Sequence, residues 1–551
     1  MKQDHLPVPI LRTAMLIMPA GLLQGMIDIL LQSMRRRHPS LFRDLARLDG
    51  AIIRIEPSDL PHQFVLKYGQ GSTTLTVTGP QGHSGDTCVR GKLGALLSLL
   101  EGQTDSDKLF FSREIEITGD TSVIVTLRNT LDREEINLLD DMAALCGPLA
   151  TPARVVASFV GATAQRIRSR LSGSDEDRHA DLANARAPSH ERDRPRAEVR
   201  TLTARLAEFK ARQADAGDRP PDIPYLELVC PAGTPASLHA AIDAGADTVY
   251  CGFRDCTNAR NYPGLNFSVE ELVEGVAYAH ERGRKVLVAV NTFPRAGDEK
   301  PWHQAVDSAA SAGADAVILA DIGVLDYATR RHPSLRRHLS VQASAANHLS
   351  IAFYRDHFDV KRVVLPRVLS IDDVASLIRQ TRMETEVFAF GSVGPMSEGR
   401  CFLSSYMTGL SPTSEGACAP ASHVTYKDNG DCMLSCLGNV TLNQFAKNEP
   451  AAYPTPCKGR YVTHGSASYL FEEPIGLNAI DILPQLKAAG VTALKIEGRQ
   501  RSRAYVTEVV GAFRKAIDEL AQGAQTVAAN DLKSVAEGGR ETFGAYKKGW
   551  R

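Results

Sequence analysis

The 551-residue chain lacks an excess of charge of either sign, because 63 basic residues balance 64 acidic ones and the net charge is −1. A near-neutral chain has no basic field to grip a phosphate backbone, which argues against nucleic-acid binding. The apolar run Ala14–Leu31 is broken by Pro19, Gln24 and Asp28, so it would make a poor membrane-spanning helix. The N-terminus does not resemble an export signal. These absences predict a cytoplasmic protein.

Two common hydrolase motifs are missing as well. The sequence contains neither HExxH nor GxSxG, which argues against a metalloprotease or a serine hydrolase. Cysteine is present ten times, and five of the ten lie between positions 401 and 457. Without an export signal, a disulfide framework is not expected, and a local cysteine cluster indicates metal binding or redox chemistry instead.

The length favours two or three domains, and the composition changes along the chain. A charged stretch that is poor in large apolar residues cannot bury enough surface to fold alone, which predicts a flexible linker at 165–222. We predict an apolar helical segment at 1–38, an α+β domain at 39–160, a second domain at 223–525 and a tail at 526–551.

The first segment ends in three arginines, Arg35 to Arg37. It is interpreted either as a peripheral contact with the inner membrane face or as an ordinary packing helix with a basic end. In the α+β domain, helices are predicted at Lys92–Leu100 and Glu134–Cys146. Short strands are predicted at His62–Tyr68, Ser72–Thr78, Glu114–Thr118 and Val123–Leu127.

The second half repeats a pattern of an alanine-rich helix, a glycine and an apolar strand, at 240–252, 308–321 and 486–498. Eight such units predict an α/β barrel of the TIM type, whose chemistry lies at the carboxyl ends of its strands. Further strands are predicted at Leu226–Cys230, Lys285–Val290, His338–Gln342, Arg362–Leu365 and Glu386–Phe390.

Polar residues follow several of these strands. Arg260, Arg367, Lys495 and Arg499 are predicted to bind an anionic substrate that carries a carboxylate. Glu497 lies among them, either as a proton acceptor or, as we favour, as an ion-pair partner. The sequence does not identify a catalytic residue.

The cysteine cluster is the most specific feature of the sequence. Cys401 and Cys418 lie in a Gly/Ser-rich stretch after a predicted strand, and Cys457 follows in PTPCKGRYV. Thiolates on such loops can ligate an iron–sulfur cluster or zinc, although widely spaced cysteines are more often ordinary buried thiols. Cys432 and Cys436 lie in an apparent hairpin insert, DNGDCMLSCLGN.

Several sequence blocks in order resemble the UbiU type of the peptidase U32 (collagenase-like) group. They include ELVCPAG, TNARNYPGLNFS, SVQASAAN, MSEGRCFLSSYMTG, PTPCKGRY and KIEGRQRS, and they cover nearly all of 225–506. Separately, PVPILRTAM, LDGAIIRIEPSDLPHQFVL and LFFSREIEITGDT resemble the UbiT type, an SCP2-like lipid carrier, over about 7–160.

This resemblance implies a component of oxygen-independent ubiquinone biosynthesis. UbiU-type proteins act with a paralogous UbiV-like partner to hydroxylate the aromatic ring, with prephenate as the implied hydroxyl donor and a [4Fe–4S] cluster in each partner. The UbiT-type domain would hold the prenylated quinone precursor, and fusion would raise its effective concentration at the barrel. Alternatives are an RNA base hydroxylase of the same group and a non-enzymatic lipid-presenting scaffold.

One position departs from the family pattern. The four ligand cysteines of the family map to Gly394, Cys401, Cys418 and Cys457, so a glycine stands where the first thiolate is expected. Three interpretations follow: a cluster on three cysteines with an open fourth iron site, replacement of the fourth ligand by Cys432 or Cys436, or loss of the cluster.

Overall fold

The computed structural model describes residues 8–48, 50–69, 72–79, 87–134, 136–145, 225–447, 449–524 and 532–547. The chain divides into two compact units. The first combines described residues from 1–39 and 136–222, and the second combines 40–135 with 223–551. The predicted linker at 165–222, with a helix expected at Thr201–Gln213, lies outside the described residues.

Among the described residues of the first unit there are three helices: α1 (Val8–Ile17), α2 (Ala20–Arg37) and α7 (Leu138–Leu145). Pro19 separates α1 from α2 in an extended conformation at the start of α2. The buried carboxylate of Asp141 on α7 accepts hydrogen bonds from Arg37 at 2.5 Å and contacts His38 at 3.3 Å, which ties α7 to the end of α2. No helix among the described residues is both long and apolar enough to cross a membrane.

An eight-stranded sheet in the second unit joins the two halves of the sequence. Strand β5 (Ile115–Asp120) pairs antiparallel with β13 (Val424–Asp428), with Asp120 opposite Thr425 and Gly119 opposite Tyr426. The strands of the sheet, in spatial order, are β15 (Val440–Ala446), β14 (Cys432–Leu437), β13 (Val424–Asp428), β5 (Ile115–Asp120), β4 (Thr87–Gly91), β1 (Ile52–Pro57), β2 (Gln63–Gly69) and β3 (Ser72–Thr78).

Four helices accompany this sheet: α3 (Pro39–Leu45), α4 (Leu93–Leu100), α5 (Ser106–Phe111) and α6 (Thr121–Asp132). The predicted strand Val123–Leu127 is wrong, because these residues lie inside α6. The Asp120 carboxylate caps that helix by accepting from the Ser122 backbone N–H at 2.8 Å. A β-branched run therefore forms a helix here because its start is capped and one face is buried.

A closed barrel of eight parallel strands forms the rest of the second unit, as the repeated pattern predicted. Strand β12 closes it by pairing with β11 on one side and with β19 on the other. The barrel strands are β6 (Glu227–Pro231), β7 (Thr248–Gly252), β8 (Lys285–Val290), β9 (Ala316–Leu319), β10 (Arg336–Leu339), β11 (Arg362–Val364), β12 (Glu384–Ser392) and β19 (Ala493–Ile496).

The hairpin β13–β15 belongs to a long insertion between the seventh and eighth barrel strands. Smaller strands in and after it are β16 (Arg460–Thr463), β17 (Ser466–Tyr469), β18 (Gly476–Asn478) and β20 (Glu541–Thr542). The helices of the barrel half are α8 (Pro235–Asp243), α9 (Val269–Glu281), α10 (Lys300–Ser311), α11 (Ile322–Arg331), α12 (His348–Phe358), α13 (Ile371–Thr381), α14 (Ser405–Thr408), α15 (Pro412–Glu415), α16 (Leu483–Ala488) and α17 (Arg503–Ala521).

The N-terminal sheet domain packs against the barrel through an apolar core and buried charges. The Phe110 ring on α5 meets the Tyr426 ring on β13 edge-on, with centroids 4.8 Å apart. Asp105, which caps α5, forms an ion pair with Arg501 and accepts from the Ser502 hydroxyl at 2.9 Å. Burial of apolar and paired polar groups together makes this contact part of the fold.

A buried carboxyl group near this contact makes the stability of the fold depend on pH. Asp132, at the end of α6, is 8% exposed, and burial raises its pKa to about 7 despite the opposing charge of Arg128. Because the folded chain keeps this proton while the unfolded chain releases it above pH ~4, the carboxyl group weakens folding as the pH rises towards 7.

We therefore expect Asp132→Asn to raise the free energy of unfolding by about 2–4 kcal/mol at pH 8, with a difference that shrinks towards zero near pH 4. Urea denaturation at both pH values measures this. Asp326→Asn, at an exposed helical position, should change little at either pH. If Asp132→Asn instead lowered the free energy of unfolding by the same amount at pH 4 and pH 8, the Asp132 side chain would act through packing.

Candidate functional site

A cavity of about 310 Å³ opens at the carboxyl ends of the barrel strands. Its wall contains Arg260 from the segment after β7, Gln342 after β10 and Arg367 after β11. Ser392, the last residue of β12, and Glu497, which follows β19, complete this part of the wall. An α/β barrel concentrates its chemistry at this end, so the cavity is the candidate site.

Three cysteines line the cavity. Cys401 lies in the loop after β12, Cys418 follows the short helix α15, and Cys457 lies in the 3₁₀ turn Pro456–Lys458. The structure therefore brings the three predicted metal ligands to one place, although 56 positions separate the first from the last.

Two glycines allow the cysteine loops to approach the barrel closely. A side chain on Gly399 would start 2.0 Å from the backbone oxygen of Gln342, and one on Gly416 would start 2.2 Å from that of Asn258. Both glycines also have positive φ angles, +72° and +83°, which other residues rarely adopt. These contacts fix the loops that carry Cys401 and Cys418.

The thiols lie in an environment that disfavours an uncompensated negative charge. Burial raises the pKa of Cys418 to about 12, and the neighbouring charges of Cys457 and Cys401 act in the same direction. Burial also raises the pKa of Cys457, although Lys458 opposes the shift. Cys418 and Cys457 therefore stay protonated near neutral pH unless a bound cation displaces the proton, as a coordinating metal does.

Gly394 lines the same cavity, and a Cβ atom added there would meet no atom within 4 Å. The position that resembles the fourth ligand is therefore open space. Cys432 and Cys436 lie on β14 and are not among the residues that line the cavity. The Cys432 sulfur accepts from Gln444 at 3.2 Å, and the Cys436 sulfur lies 3.5 Å from the Thr441 hydroxyl.

The chemistry of the three side chains fits a thiolate-bound group. Cysteine thiolates hold iron–sulfur clusters and also zinc, which binds sulfur at about 2.3 Å. Cys401, Cys418 and Cys457 line a cavity of about 310 Å³, so the residues present fit an iron–sulfur cluster.

Glu497 is held between two arginines. Arg367 donates to one carboxylate oxygen at 2.7 Å, and Arg260 forms an ion pair with the other. Burial opposes the ionisation of Glu497, but the charges of Arg367 and Arg260 outweigh it and lower its pKa to about 2. Glu497 therefore stays ionised near neutral pH and is a weak base, with its two oxygens engaged by arginines.

The four predicted substrate-binding cations share a smaller cavity of about 60 Å³ inside the barrel. Lys495 contacts Glu386 at 2.6 Å, and Arg367 contacts Glu398 at 2.8 Å as well as Glu497. Arg499 is 4% exposed and donates to the Asn258 side-chain oxygen at 3.0 Å. Burial lowers its pKa to about 10, and among the described residues it forms no ion pair with a carboxylate. Arg499 thus differs from the other three cations, each of which pairs with a carboxylate.

Several residues in or next to the cavity walls were missed by the sequence analysis. Glu386 pairs with Lys495 and Glu398 pairs with Arg367, so they neutralise two of the four predicted cations, and no spacing rule links them to these partners. Lys458, beside Cys457, donates to the Ser392 hydroxyl at 2.9 Å and forms an ion pair with Glu537. Glu537 comes from the segment predicted as a tail, where β20 pairs with β18 and brings the chain back to the barrel.

The N-terminal sheet domain supplies another part of the cavity wall. Phe111 from α5 and Val125 from α6 line the cavity together with the three cysteines. Arg128 and Asp107 line it as an ion pair at 2.5 Å, and Arg128 also donates to the Gln500 backbone oxygen at 2.9 Å. The cavity is therefore composite, with walls from both halves of the sequence. No sequence signal indicated this.

Comparisons with known proteins assign both halves. The model of peptidase family U32 matches residues 233–549, and the model of the SCP-2 sterol transfer family matches residues 31–132. The U32 match spans 317 of the 551 residues, which is more than half of the chain.

Proteins similar to the barrel half of this chain are named for different activities. An uncharacterized protease of Methanocaldococcus jannaschii is 32% identical over 54% of this chain and 66% of its own length. The tRNA hydroxylation protein P of Escherichia coli is 31% identical over 54% of this chain and 69% of its length. The 23S rRNA 5-hydroxycytidine C2501 synthase of the same organism is 27% identical over 58% of this chain and 42% of its length.

Two solved structures are similar at low TM-scores. The U32 peptidase Mk0906 covers 31% of this chain at 15% identity and a TM-score of 0.26, with 70% of its own chain covered. The UbiJ-SCP2 ubiquinone synthesis protein covers 20% of this chain at 25% identity and a TM-score of 0.18, with 90% of its own chain covered. The fold is therefore taken from the strand order, and the assignment from the family matches: the chain belongs to peptidase family U32 and carries an SCP-2 sterol transfer domain in its N-terminal part.

Proposed function

We propose that this chain is a hydroxylase component that acts on the ring of a prenylated quinone precursor in oxygen-independent ubiquinone biosynthesis. The observation that carries this proposal is the composite cavity, in which Phe111 and Val125 of the lipid-carrier domain face the same space as Cys401, Cys418 and Cys457. Hydroxylation chemistry is supported by relatives named for hydroxylation of tRNA and rRNA.

The substrate class follows from the walls of the cavity. Phe111, Val125, Tyr262 and Tyr453 offer apolar and aromatic surface, while the charged groups Arg128 and Asp107 neutralise each other. Such walls favour a neutral ring with an apolar substituent over a polyanion. A nucleic-acid base would have to be extruded from its strand to enter, and the chain has no excess positive charge to hold that strand.

Cys401, Cys418 and Cys457 would hold a [4Fe–4S] cluster, and the glycine at position 394 would leave one of its iron atoms without a cysteine ligand. The bound cluster would supply one-electron redox chemistry. Arg499 would receive a carboxylate of the hydroxyl donor, for which prephenate, a dicarboxylate, is the proposed molecule. Glu497 holds Arg260 and Arg367 in place at the edge of both cavities. A UbiV-like paralogue is the proposed partner.

The proposal is tested by a substitution in the lipid-carrier domain that makes the cavity smaller. Val125→Trp places an indole in the space that the ring would occupy, and Val273→Trp, on the exposed face of α9, is the matched control. In a strain deleted for this gene and grown without oxygen, we expect Val125→Trp to restore ubiquinone at least roughly tenfold less than the native chain, equal to about 1.4 kcal/mol of lost binding. Iron content and circular dichroism should stay unchanged.

Two outcomes would contradict this proposal and favour a different function. Unchanged quinone together with missing hydroxylated bases in RNA from the deletion strain would favour the RNA hydroxylase. Prenyl lipid that copurifies with a chain unable to bind iron would favour a non-enzymatic lipid-presenting scaffold.

A further inference from the structure

Two buried hydroxyl groups lie on the loops that carry the cysteines. Ser404, three positions after Cys401, is 0% exposed, and its hydroxyl oxygen has no hydrogen-bond partner within the described part of the chain. The hydroxyl oxygen of Thr455, two positions before Cys457, is also buried and has no partner among the same residues. Native proteins keep few buried polar groups unpaired, because each one destabilises the fold. Both hydroxyls therefore need a partner that the packing of the chain does not supply.

Both residues stand directly before a short helix, where serine and threonine usually cap the first turn. Ser404 precedes α14, and Thr455 precedes the 3₁₀ turn Pro456–Lys458. In each case the backbone carbonyl accepts from an N–H of the following turn, at 3.0 Å and 2.9 Å respectively. Neither side chain makes a capping hydrogen bond to the described residues. Helix capping therefore does not account for either hydroxyl.

Each hydroxyl lies beside a cysteine of the cavity. Thr455 lines the cavity together with Cys457 and Cys418. Burial raises the pKa of Cys418, and the Ser404 hydroxyl is among the groups that oppose this rise, since it favours the thiolate. Burial also raises the pKa of Cys457, and Thr455 acts there in the same way as Ser404. A thiol is a weak acceptor, whereas an ionised acceptor forms a stronger hydrogen bond, so both hydroxyls gain a partner when the thiols lose their protons to a metal.

We propose that Ser404 and Thr455 are positioning residues that donate hydrogen bonds to the metal-bound thiolates of Cys418 and Cys457. The inference rests on the cluster of the proposed function and adds two residues that tune its reduction potential. A hydrogen bond to a ligand sulfur stabilises the reduced cluster more than the oxidised one, because reduction adds negative charge. The two hydroxyls therefore raise the reduction potential of the bound cluster.

Redox titration of the full chain, purified without oxygen and followed by visible absorption, tests the proposal. Ser404→Ala and Thr455→Val each remove one hydroxyl without adding bulk, and both variants should keep their iron. We expect each change to favour the oxidised cluster about tenfold, which lowers the midpoint potential by about 59 mV for one electron. Thr455→Ser restores the hydroxyl and should therefore keep the native potential.

Ser405→Ala is the matched control on the same loop. The Ser405 hydroxyl donates to the Phe402 backbone oxygen at 2.6 Å, so its removal should leave the potential unchanged. Native potentials in Ser404→Ala and Thr455→Val, with iron retained, would overturn this inference and leave the proposed function standing. A lower iron content without a change in potential would also overturn it, because the hydroxyls would then only support the loops. Absence of iron from the native chain would contradict both this inference and the proposed function.

Discussion

Replacing Cys418 by alanine is expected to reduce the iron and sulfide content of the anaerobically purified chain to background. Burial raises the pKa of Cys418, the charges of Cys457 and Cys401 raise it further, and the three thiols line the same cavity. A cluster that already lacks one cysteine at Gly394 would be left with two thiolates, which is too few to retain it. The same loss is expected for Cys401→Ala and Cys457→Ala.

Cys432→Ala is the matched control for this prediction. Its sulfur accepts a hydrogen bond from Gln444 on the hairpin and does not line the cavity, so iron content should match that of the native chain. Equal iron loss in Cys432→Ala would show that this cysteine replaces the missing fourth ligand. Visible absorption, which reports the cluster directly, should follow the iron content in each variant.

The second large effect concerns the contact between the N-terminal sheet domain and the barrel. Asp105 is 2% exposed, and its carboxylate binds Arg501, the Ser502 hydroxyl and the backbone N–H of Lys108. Asp105→Ala leaves the charge of Arg501 buried near Asp107 alone. We expect the free energy of unfolding to fall by about 3–5 kcal/mol, as for other broken buried pairs. Denaturant titration followed by circular dichroism measures it.

The pH dependence of this pair has a definite sign. Burial raises the pKa of Asp105, but Arg501 and Ser502 outweigh burial and hold it below its usual value. The pair therefore stabilises the fold above about pH 4, and its contribution is lost as the pH falls through the lowered pKa. The cost of Asp105→Ala should accordingly shrink in acid.

An exposed ion pair provides the comparison for Asp105→Ala. Asp326→Ala breaks the pair with Arg330 on α11, where both side chains are largely exposed, and should cost less than about 0.5 kcal/mol. A similarly small cost for Asp105→Ala would mean that the sheet domain is held to the barrel by the pairing of β5 with β13 and by the apolar core alone.

Much of the fold could be predicted because local patterns determined it. The strands Lys285–Val290 and Ser72–Thr78 have the predicted bounds, since each is a short apolar or β-branched run between turn residues. The secondary structure of Val123–Leu127 could not be predicted from composition. These residues form part of a helix because Asp120 caps its start and one face of it is buried. The pairing of β5 with β13 could not be predicted either, because about 300 positions separate the two strands.

Some residues of the candidate site could likewise be predicted from the sequence, and others could not. Cysteines and cations that follow barrel strands could be predicted to meet, because parallel strands end at one face of a barrel. The carboxylates of Glu386 and Glu398, the approach of Glu537 and the wall formed by Phe111 and Val125 depend on distant packing. The sequence therefore indicated which cysteines and cations meet at the end of the barrel, and the structure adds the carboxylates that pair with the cations and the side chains that enclose the cavity.

The proposed hydroxylase function depends most directly on whether the three cysteines hold a cluster. The measurement is iron and acid-labile sulfide content, with a visible spectrum, on the full chain purified and kept without oxygen. We predict about four irons and four sulfides per chain in the native protein. Absence of iron after attempted reconstitution would contradict the proposed function, and Gly394 would then mark the loss of the cluster.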